Sequence, residues 1–319
     1  MIISILLLVV GFGLLIKGAD FLVNGSSSLA KRFNVSELVI GLTIVAFGTS
    51  APELVVNTIA SVNGYDDVVM GNIIGSNIFN LLFILGVSGI IYPITVQVST
   101  IWKEIPYSLA AAIILIALAN DALLLKSTAN TINQTDGIIL LVFFCLFMVY
   151  IFFSAKKETN ADITQTKQLS LTKTVIYIIL GLTGLVLGGR FVVNNAIQIA
   201  RMLSVSEKLI GLTIVSIGTS LPELATSVVA AIKKKSDLAI GNVIGSNIFN
   251  IFLILGISSI ISPIDYSAAF NFDIGILIFS KVFLFIAMFT GVRKKLDRWE
   301  AGVLLLIFLG YLAFLIIKK

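Results

Sequence analysis

The stretch GLTIVAFGTSAPEL, residues 41–54, is apolar enough for a membrane span until it reaches Glu53. The chain repeats it as GLTIVSIGTSLPEL at residues 211–224, where eleven of the fourteen positions match and the carboxylate is Glu223. A second block, GNIIGSNIFN at residues 71–80, recurs as GNVIGSNIFN at residues 241–250. Both blocks recur at an offset of 170 residues, which indicates that the chain is a duplicated half.

The composition places most of the chain in a lipid bilayer. Of its 319 residues, 58% are hydrophobic and 12% are charged, and the mean hydropathy is +1.07. A soluble domain carries about 25% charged residues, so a soluble enzyme is excluded. The basic residues lie in short loops rather than in one patch, which predicts no nucleic-acid partner.

Ten segments are predicted to be spanning helices, since a span needs about 20 mostly apolar residues. They form two halves of five, residues 1–153 and 174–319, joined by a polar cytoplasmic hinge loop at 154–173. The predicted fold class is therefore an all-α membrane protein with ten transmembrane helices. The predicted spans are 2–25, 36–61, 67–91, 105–119, 137–154, 173–198, 207–232, 238–262, 273–292 and 299–317.

The loops predict that the two halves cross the membrane in opposite directions. Residues 63–67, NGYDD, are acidic, whereas the equivalent residues 233–237, KKKSD, are mainly basic. Basic loops favour the cytoplasmic side, and an odd number of spans per half also forces inversion. We therefore predict a multi-pass protein of the cell (plasma or inner) membrane with both termini outside. Inverted repeats are typical of secondary transporters, whose site lies near the midplane where the repeats meet.

The first block admits two interpretations. Ser50 and Glu53 have the spacing of a capping box, and Pro52 suits the first turn of a helix. A carboxylate at the bilayer centre costs at least about 2.5–3.5 kcal/mol, whereas a helix cap contributes about 1 kcal/mol. Because capping alone does not account for two such charges, we predict broken helices at the midplane that form a binding site, with capping as a secondary role.

The second block combines small residues with polar ones. Gly71 and Gly75, like their repeat equivalents Gly241 and Gly245, have the G-x-x-x-G spacing of close helix contacts. Ser76 and Asn80 are four residues apart and share one helix face, as do their equivalents. A close contact at the glycines is predicted to bring this oxygen-bearing face against the broken helix and its glutamate.

The candidate ligands are all oxygen atoms, which hard cations such as Ca²⁺ prefer, whereas soft metals favour Cys or His. Two glutamates carry a charge of −2, which one Ca²⁺, two Na⁺ or two protons would balance. Such a site suits exchange, and the residues leave the monovalent ion open. The predicted ligands are the carboxylates of Glu53 and Glu223, the amides of Asn80 and Asn250, the hydroxyls of Ser50, Ser76, Ser220 and Ser246, and hydroxyls or carbonyls of Thr49 and Thr219.

These blocks resemble the two α-repeats of the calcium/cation antiporter superfamily, and most closely those of the prokaryotic sodium/calcium exchangers. The resemblance covers the whole ten-span layout. It implies a central core that binds three Na⁺ or one Ca²⁺ in turn, while spans one and six slide across it. It also implies that Glu53 and Glu223 are the main shared ligands, with backbone carbonyls of Thr49 and Thr219 for Ca²⁺, the four serines and the carbonyls of Ala46 and Ser216 for Na⁺, and Asn80 and Asn250 at the central position.

One position departs from part of that superfamily. Some archaeal members and the potassium-dependent branch carry an aspartate where this chain has Asn250. The central site is therefore less negative here, and the resemblance leaves the ion stoichiometry open.

The nearest alternative is a proton/Ca²⁺ antiporter that uses the same two carboxylates. The serine and asparagine ligands favour Na⁺, because a proton needs no coordination shell. An inverted duplication disfavours a cation channel, and the absence of a nucleotide-binding loop disfavours an ATP-driven pump. The sequence thus predicts a non-enzymatic Na⁺/Ca²⁺ antiporter that works by alternating access, with no cofactor and no obligate protein partner.

Overall fold

The computed structural model describes residues 2–120, 130–157, 169–202 and 216–317, and these residues are almost entirely helical. Four two-residue strands lie in the loops: β1 (Ile94–Thr95), β2 (Thr131–Ile132), β3 (Ile264–Asp265) and β4 (Lys295–Leu296). The helices are α1 (Ile2–Phe33), α2 (Glu37–Thr49), α3 (Ala51–Val62), α4 (Asp66–Ile91), α5 (Thr100–Leu118), α6 (Gln134–Lys157), α7 (Leu171–Met202), α8 (Ser216–Thr219), α9 (Leu221–Ile232), α10 (Ser236–Ile261), α11 (Ala268–Ala287) and α12 (Arg298–Ile317).

Within the described residues, eight helices are long and apolar enough to cross a membrane. The pair α2 and α3 passes the same test together, and it is bent by 47° at Ser50, so that the number of candidate spans rises to nine. Helices α8 and α9 belong to the predicted span 207–232, of which residues 207–215 lie outside the described part of the chain. The all-helical membrane fold is thus confirmed, whereas the count of ten stays a prediction.

Several helix ends differ from the predicted spans. Helix α1 continues through Gly25 to Phe33 rather than ending at residue 25, because the bare backbone of Gly25 packs against Tyr177 and Ile178 of α7. The predicted span 105–119 begins earlier, at Thr100, and so gains the length to cross. Helices α6 and α7 extend into both ends of the predicted hinge loop, and residues 158–168 between them lie outside the described residues.

Helices α1 and α7, the first and sixth spans of the predicted layout, pack against each other at bare glycine backbone. A Cβ atom placed on Gly18 would lie 2.8 Å from the backbone nitrogen of Leu185, and one on Gly188 would lie 2.8 Å from the carbonyl oxygen of Gly11. Such distances leave no room for a side chain. The sequence therefore allows these two backbones to approach as closely as small-residue motifs permit in membranes.

Helices α4 and α10 are the most deeply buried spans and contain the two copies of the second block. Gly245 packs tightly on the second span, where its added Cβ would lie 2.7 Å from that of Ala46. At the equivalent Gly75 no described atom lies within 4 Å, and at Gly71 the nearest is at 4.0 Å. The predicted close contact is therefore confirmed for the second-half glycines. For the first-half glycines the equivalent partner segment includes residues 208–215, which lie outside the described residues, so that contact stays a prediction.

Two short antiparallel ribbons connect the halves crosswise. Strand β1 of the first half pairs with β4 of the second, and β2 of the first half pairs with β3 of the second. Each ribbon joins the end of a central span, α4 or α10, to the start of a peripheral one, α12 or α6. The fold thus positions the two central spans through contacts made by both halves.

Charged residues at one end of the molecule form ion pairs between elements. The Lys233 ammonium, just after α9, lies 2.5 Å from the Asp20 carboxylate of α1 and donates to Asn24 at 2.7 Å. The Lys235 ammonium lies 2.6 Å from the Glu37 carboxylate at the start of α2. Asp20, a charged residue within an apolar span, is therefore paired at the edge of the helix bundle.

Candidate functional site

The second span breaks one residue after Thr49. Ser50 has φ −81° and ψ 5°, outside the helical region, and Pro52 stands in the first turn of α3. Proline lacks an N–H, so it cannot donate to the Gly48 carbonyl four residues earlier. The break at the GTS-x-PE block is thus confirmed, and Ser220 interrupts the second-half copy in the same way, with φ −88° and ψ 9°.

The capping interpretation of the block is wrong. Neither the Ser50 hydroxyl nor the Ser220 hydroxyl caps the helix that follows it. The Ser50 hydroxyl donates instead to the Glu223 carboxylate at 2.9 Å, and the Ser220 hydroxyl donates to the Glu53 carboxylate at 2.9 Å. Each serine therefore serves the glutamate of the other half, which pulls its side chain away from its own helix end.

Both glutamates lie in the interior, where each is only 1% exposed. They are close enough for their charges to interact. Two further serines contact the pair. The hydroxyls of Ser220 and Ser76 lie 3.0 Å apart, and the Ser246 hydroxyl lies 3.5 Å from the Glu223 carboxylate. The structure thus brings together both predicted carboxylates and all four predicted serines in one buried cluster.

Several polar atoms around this cluster are buried and make no hydrogen bond to any described residue. One carboxylate oxygen of each glutamate, Oε2, is among them. So are the oxygen and nitrogen atoms of both the Asn80 and the Asn250 amide, whose residues are 1% exposed. Most buried polar side-chain atoms in folded proteins have a hydrogen-bond partner. Oxygens of this kind in a polar cluster are the ligands that a desolvated cation requires.

The two amides lie in stretches of π-helix at equivalent positions of the central spans. Phe79–Ile84 in α4 and Phe249–Ile254 in α10 both have the wider π-helical turn, and each begins one residue before its asparagine. A π-helical turn rotates the side chains around it and occurs often at functional sites. The prediction that Ser76 and Asn80 share one helix face assumed a regular α-helix. The π-helical turn that begins at Phe79 changes that spacing.

The threonines of the break contact the opposite half through their hydroxyls. The Thr49 hydroxyl donates to Asn242 at 3.1 Å, and the Thr219 hydroxyl accepts from Asn72 at 3.2 Å. The Ala46 carbonyl accepts from the Ser50 backbone at 3.0 Å and from the Thr49 hydroxyl at 3.4 Å. Ser216 is the first residue of α8, and the structure describes its backbone only.

Four residues that contact this cluster were not among the predicted site residues. Asn72 and Asn242 bind the threonines, and Asn57 and Ser227 bind those asparagines in turn. The repetition of asparagine at the second position of both second blocks was a signal for the first two. Asn57 and Ser227 differ in residue type, so comparison of the halves gave no signal for them.

Broken helices, two buried carboxylates in crossed contacts and buried oxygens without described partners, all in an apolar helical fold, are features of a membrane transporter for cations. In agreement with this class, the sequence profile described as "Sodium/calcium exchanger protein" matches residues 3–153 and 173–317. The chain belongs to the sodium/calcium exchanger family and is therefore a multi-span membrane antiporter.

Similar proteins extend over nearly the whole chain. The sodium/calcium exchanger MaX1 of Methanosarcina acetivorans is 32% identical, covering 99% of this chain and 98% of its own. The inner membrane protein YrbG of Escherichia coli K12 is 34% identical, covering 96% and 94%. The solved structure of the sodium-calcium exchanger NCX_Mj superposes with a TM-score of 0.83 at 32% identity, covering 98% of each chain. The family, the fold and an inner-membrane location are mutually consistent.

Proposed function

We propose that this protein exchanges Na⁺ for Ca²⁺ by alternating access at a single site shared by its two halves. The observation that carries the proposal is the crossed arrangement of serines and glutamates. Each carboxylate accepts a hydrogen bond from a serine of the other half and keeps a second, buried oxygen without a described partner. Neither half alone contains a complete site.

The proposed ligands follow from the two carboxylate charges and from the buried polar atoms that have no described hydrogen-bond partner. The carboxylates of Glu53 and Glu223 neutralise one Ca²⁺, which accepts six to eight oxygens. Monovalent ions replace it at the same carboxylates, so that the two kinds of ion compete. The remaining proposed ligands are the Asn80 and Asn250 amides, the hydroxyls of Ser50, Ser76, Ser220 and Ser246, and the carbonyls of Ala46, Thr49, Ser216 and Thr219.

The Asn80 and Asn250 amides favour Na⁺ over protons as the exchanged ion. A proton that binds a glutamate satisfies that carboxylate and leaves the amide oxygens without partners. A Na⁺ ion coordinates carboxylate, amide and hydroxyl oxygens together. Because an unpaired buried polar group costs about 1–3 kcal/mol, occupation by Na⁺ offsets a penalty that protonation would leave in place.

We propose an inverted ten-helix architecture, with residues 1–153 and 174–319 as the two repeats and 154–173 as a cytoplasmic connection. Both termini then lie outside. The residue-by-residue correspondence of the crossed contacts at an offset of 170 supports a two-fold relation between the halves. Single cysteines at Asn63 and Lys234, in a variant lacking Cys145, are expected to react with impermeant reagents from opposite sides; reaction from the same side would contradict inversion.

Alternating access requires part of the bundle to move relative to the site. Helices α1 and α7 form the proposed moving pair, because they contact each other through glycine backbone and leave most of their remaining surface to lipid. The central spans α4 and α10, which contain the orphaned amides, form the stationary core. Motion of the pair across this core would open the same carboxylates to one side or the other.

The test is Ca²⁺ uptake by purified protein in liposomes. We expect an outward-directed Na⁺ gradient to drive uptake with the pH clamped on both sides, and Glu223→Gln to abolish it. A pH gradient without Na⁺ is expected to drive none. Uptake that depends on the pH gradient alone would instead identify a proton/Ca²⁺ antiporter.

The neutral Asn250 makes a further distinction within the same assay. Because the core charge stays at −2, we expect no requirement for K⁺ on either side when choline replaces it. The variant Asn250→Asp is expected to strengthen competition by monovalent cations, since a third carboxylate makes the empty site more negative. Transport that appears only with K⁺ would refute the neutral-amide interpretation.

A further inference from the structure

A chain of hydrogen bonds in the first half connects the glutamate backbone to the threonine of the opposite break. The Asn57 Nδ2 donates to the Glu53 carbonyl at 2.7 Å and to the Asn72 Oδ1 at 2.7 Å. The Asn72 Nδ2 then donates to the Thr219 hydroxyl at 3.2 Å. All of these bonds are buried, and two amides lie between the carbonyl and the threonine.

The second half makes the equivalent connection with one amide. The Asn242 Nδ2 donates to the Glu223 carbonyl at 3.3 Å and to the Ser227 hydroxyl at 2.9 Å. Its Oδ1 accepts from the Thr49 hydroxyl at 3.1 Å. Ser227 occupies the repeat position of Asn57, and its shorter side chain leaves the Glu223 carbonyl to Asn242.

The direction of each hydrogen-bond chain is fixed at its backbone end. A carbonyl oxygen only accepts, so the amide beside it must present its nitrogen. In the second half this turns the Asn242 oxygen towards Thr49. In the first half the additional amide, Asn57, reverses the order and turns the Asn72 nitrogen towards Thr219. The number of amides therefore sets which threonine donates and which accepts.

The two threonine hydroxyls consequently differ in how far their hydrogens are available to the site. Each hydroxyl also interacts favourably with a site carboxylate, Thr219 with Glu53 and Thr49 with Glu223. Thr219 accepts from Asn72 and so keeps its own hydrogen for Glu53. Thr49 has a single hydrogen, for which Asn242 at 3.1 Å and the Ala46 carbonyl at 3.4 Å compete with Glu223. The Glu223 carboxylate is therefore less well satisfied by its threonine, and a bound cation makes up the difference.

On the basis of the cation exchange proposed above, we infer that Asn57 and Ser227 are positioning residues that tune cation affinity by setting the hydrogen-bond direction of Thr219 and Thr49. The natural chain has one hydroxyl of each kind: Thr49 favours a bound cation, and Thr219 favours the empty site. Exchanging the residue type at position 57 or 227 changes how many of the two threonine hydroxyls favour a bound cation. Neither residue is itself a proposed ion ligand.

Each half supplies the template for altering the other. Asn57→Ser copies the second half, so that Thr219 donates to Asn72 and neither threonine keeps its hydrogen for a carboxylate alone. Ser227→Asn copies the first half, so that both threonines donate to the carboxylates. The double variant restores one of each. The Asn57 Oδ1 has no hydrogen-bond partner among the described residues, so removing this oxygen leaves no described donor without its acceptor.

The test is Ca²⁺ binding to the purified full-length protein by equilibrium dialysis, without Na⁺. Since a net hydrogen bond is worth about 0.5–1.5 kcal/mol, we expect Asn57→Ser to bind Ca²⁺ about two- to tenfold more tightly and Ser227→Asn about two- to tenfold more weakly. The double variant is expected to return to within about twofold of the natural protein. Thermal unfolding of each variant checks that it is folded.

A purely structural role predicts a different order. In that case both single variants bind more weakly, and the double variant is at least as impaired as the worse of them. That order, or unchanged affinity in both single variants, would overturn the inference. If instead the natural protein binds no Ca²⁺, or binds it as well after Glu223→Gln, the proposed function itself fails, and the two failures are distinguished within one experiment.

Discussion

Ser50 and Glu223 on one side of the site, and Ser220 and Glu53 on the other, make the same crossed contact at the same distance of 2.9 Å. The threonine–asparagine contacts behind them also agree, at 3.1 Å and 3.2 Å. These serine–glutamate and threonine–asparagine contacts are thus reproduced by both halves. The helices that carry them also recur at the offset of 170 residues, so the duplication extends from the fold to individual contacts of the site.

The surroundings of the site differ between the halves. The hydrogen-bond chains behind the threonines run in opposite directions because Asn57 corresponds to Ser227. Single residues outside the repeated contacts are therefore enough to make the two sides of one site unequal.

The largest expected effect in this comparison concerns the crossed serines. Ser50→Ala and Ser220→Ala each remove a hydroxyl from a buried carboxylate and from the proposed Na⁺ ligands. Hydrogen bonds to charged groups are worth about 1.5–3 kcal/mol, so we expect the Na⁺ concentration for half-maximal exchange to rise about tenfold or more in both variants. Exchange measured in liposomes over a range of Na⁺ concentrations checks this.

Equality of the two serine variants is part of that prediction. Because the two contacts have the same length and burial, their effects should agree within about threefold, which is about 0.7 kcal/mol. A large effect of one variant with none of the other would break the symmetry inferred for the carboxylate shell. Ser88→Ala, at a buried serine outside the crossed contacts, is the matched control and should leave the Na⁺ dependence unchanged.

The second prediction concerns stability rather than transport. Gly245→Ala adds a methyl group 2.7 Å from the Ala46 side chain and 3.0 Å from the Leu42 backbone, so we expect a loss of about 1–3 kcal/mol from overpacking. Gly275→Ala, on an exposed face of α11, adds the same group where no described atom lies within 4 Å and is the matched control. Thermal unfolding in detergent is expected to show a lower midpoint only for Gly245→Ala; equal losses would indicate that both glycines are closely packed.

The smallest expected effect concerns the ion pair at one end of α1. The Asp20 and Lys233 side chains are 40% and 24% exposed, and exposed pairs of this kind contribute about 0.2–1 kcal/mol. Asp20→Asn is therefore expected to change the exchange rate by no more than about fivefold.

The repeat equivalent of Asp20 provides the control for this pair. Arg190 is exposed and makes no ion pair with any described residue. Arg190→Gln should therefore have less effect on exchange than Asp20→Asn, and salt should reduce the difference between them. A loss of exchange in Asp20→Asn as large as in the serine variants would contradict this prediction and indicate that the ion pair takes part in transport.

The repeated blocks made much of the site predictable from sequence. Residues that recur at one offset occupy equivalent places in the two halves, which is why Glu53, Glu223 and the four serines could be named together. Composition and span length likewise sufficed for the helical membrane class, because the bilayer imposes both.

Other features depend on contacts that a sequence pattern does not encode. The capping prediction for Ser50 failed because a buried carboxylate of the distant half competes for the same hydroxyl. The hydrogen-bond direction at Thr49 and Thr219 depends on whether one side chain is long enough to reach a carbonyl, and Asn57 and Ser227 share no motif. The extent of α1 and the π-helical turns likewise reflect tertiary packing.

The most direct test of the central claim is the number of Ca²⁺ ions bound per chain. Two glutamates from opposite halves that form one site predict one Ca²⁺ bound competitively with Na⁺. Glu53→Gln and Glu223→Gln should each reduce this number to zero, and the double variant should resemble either single variant. Equilibrium dialysis with radioactive Ca²⁺ on the folded, purified variants measures it. Two Ca²⁺ ions per natural chain, with one retained in each single variant, would contradict the shared site and indicate an independent site in each half.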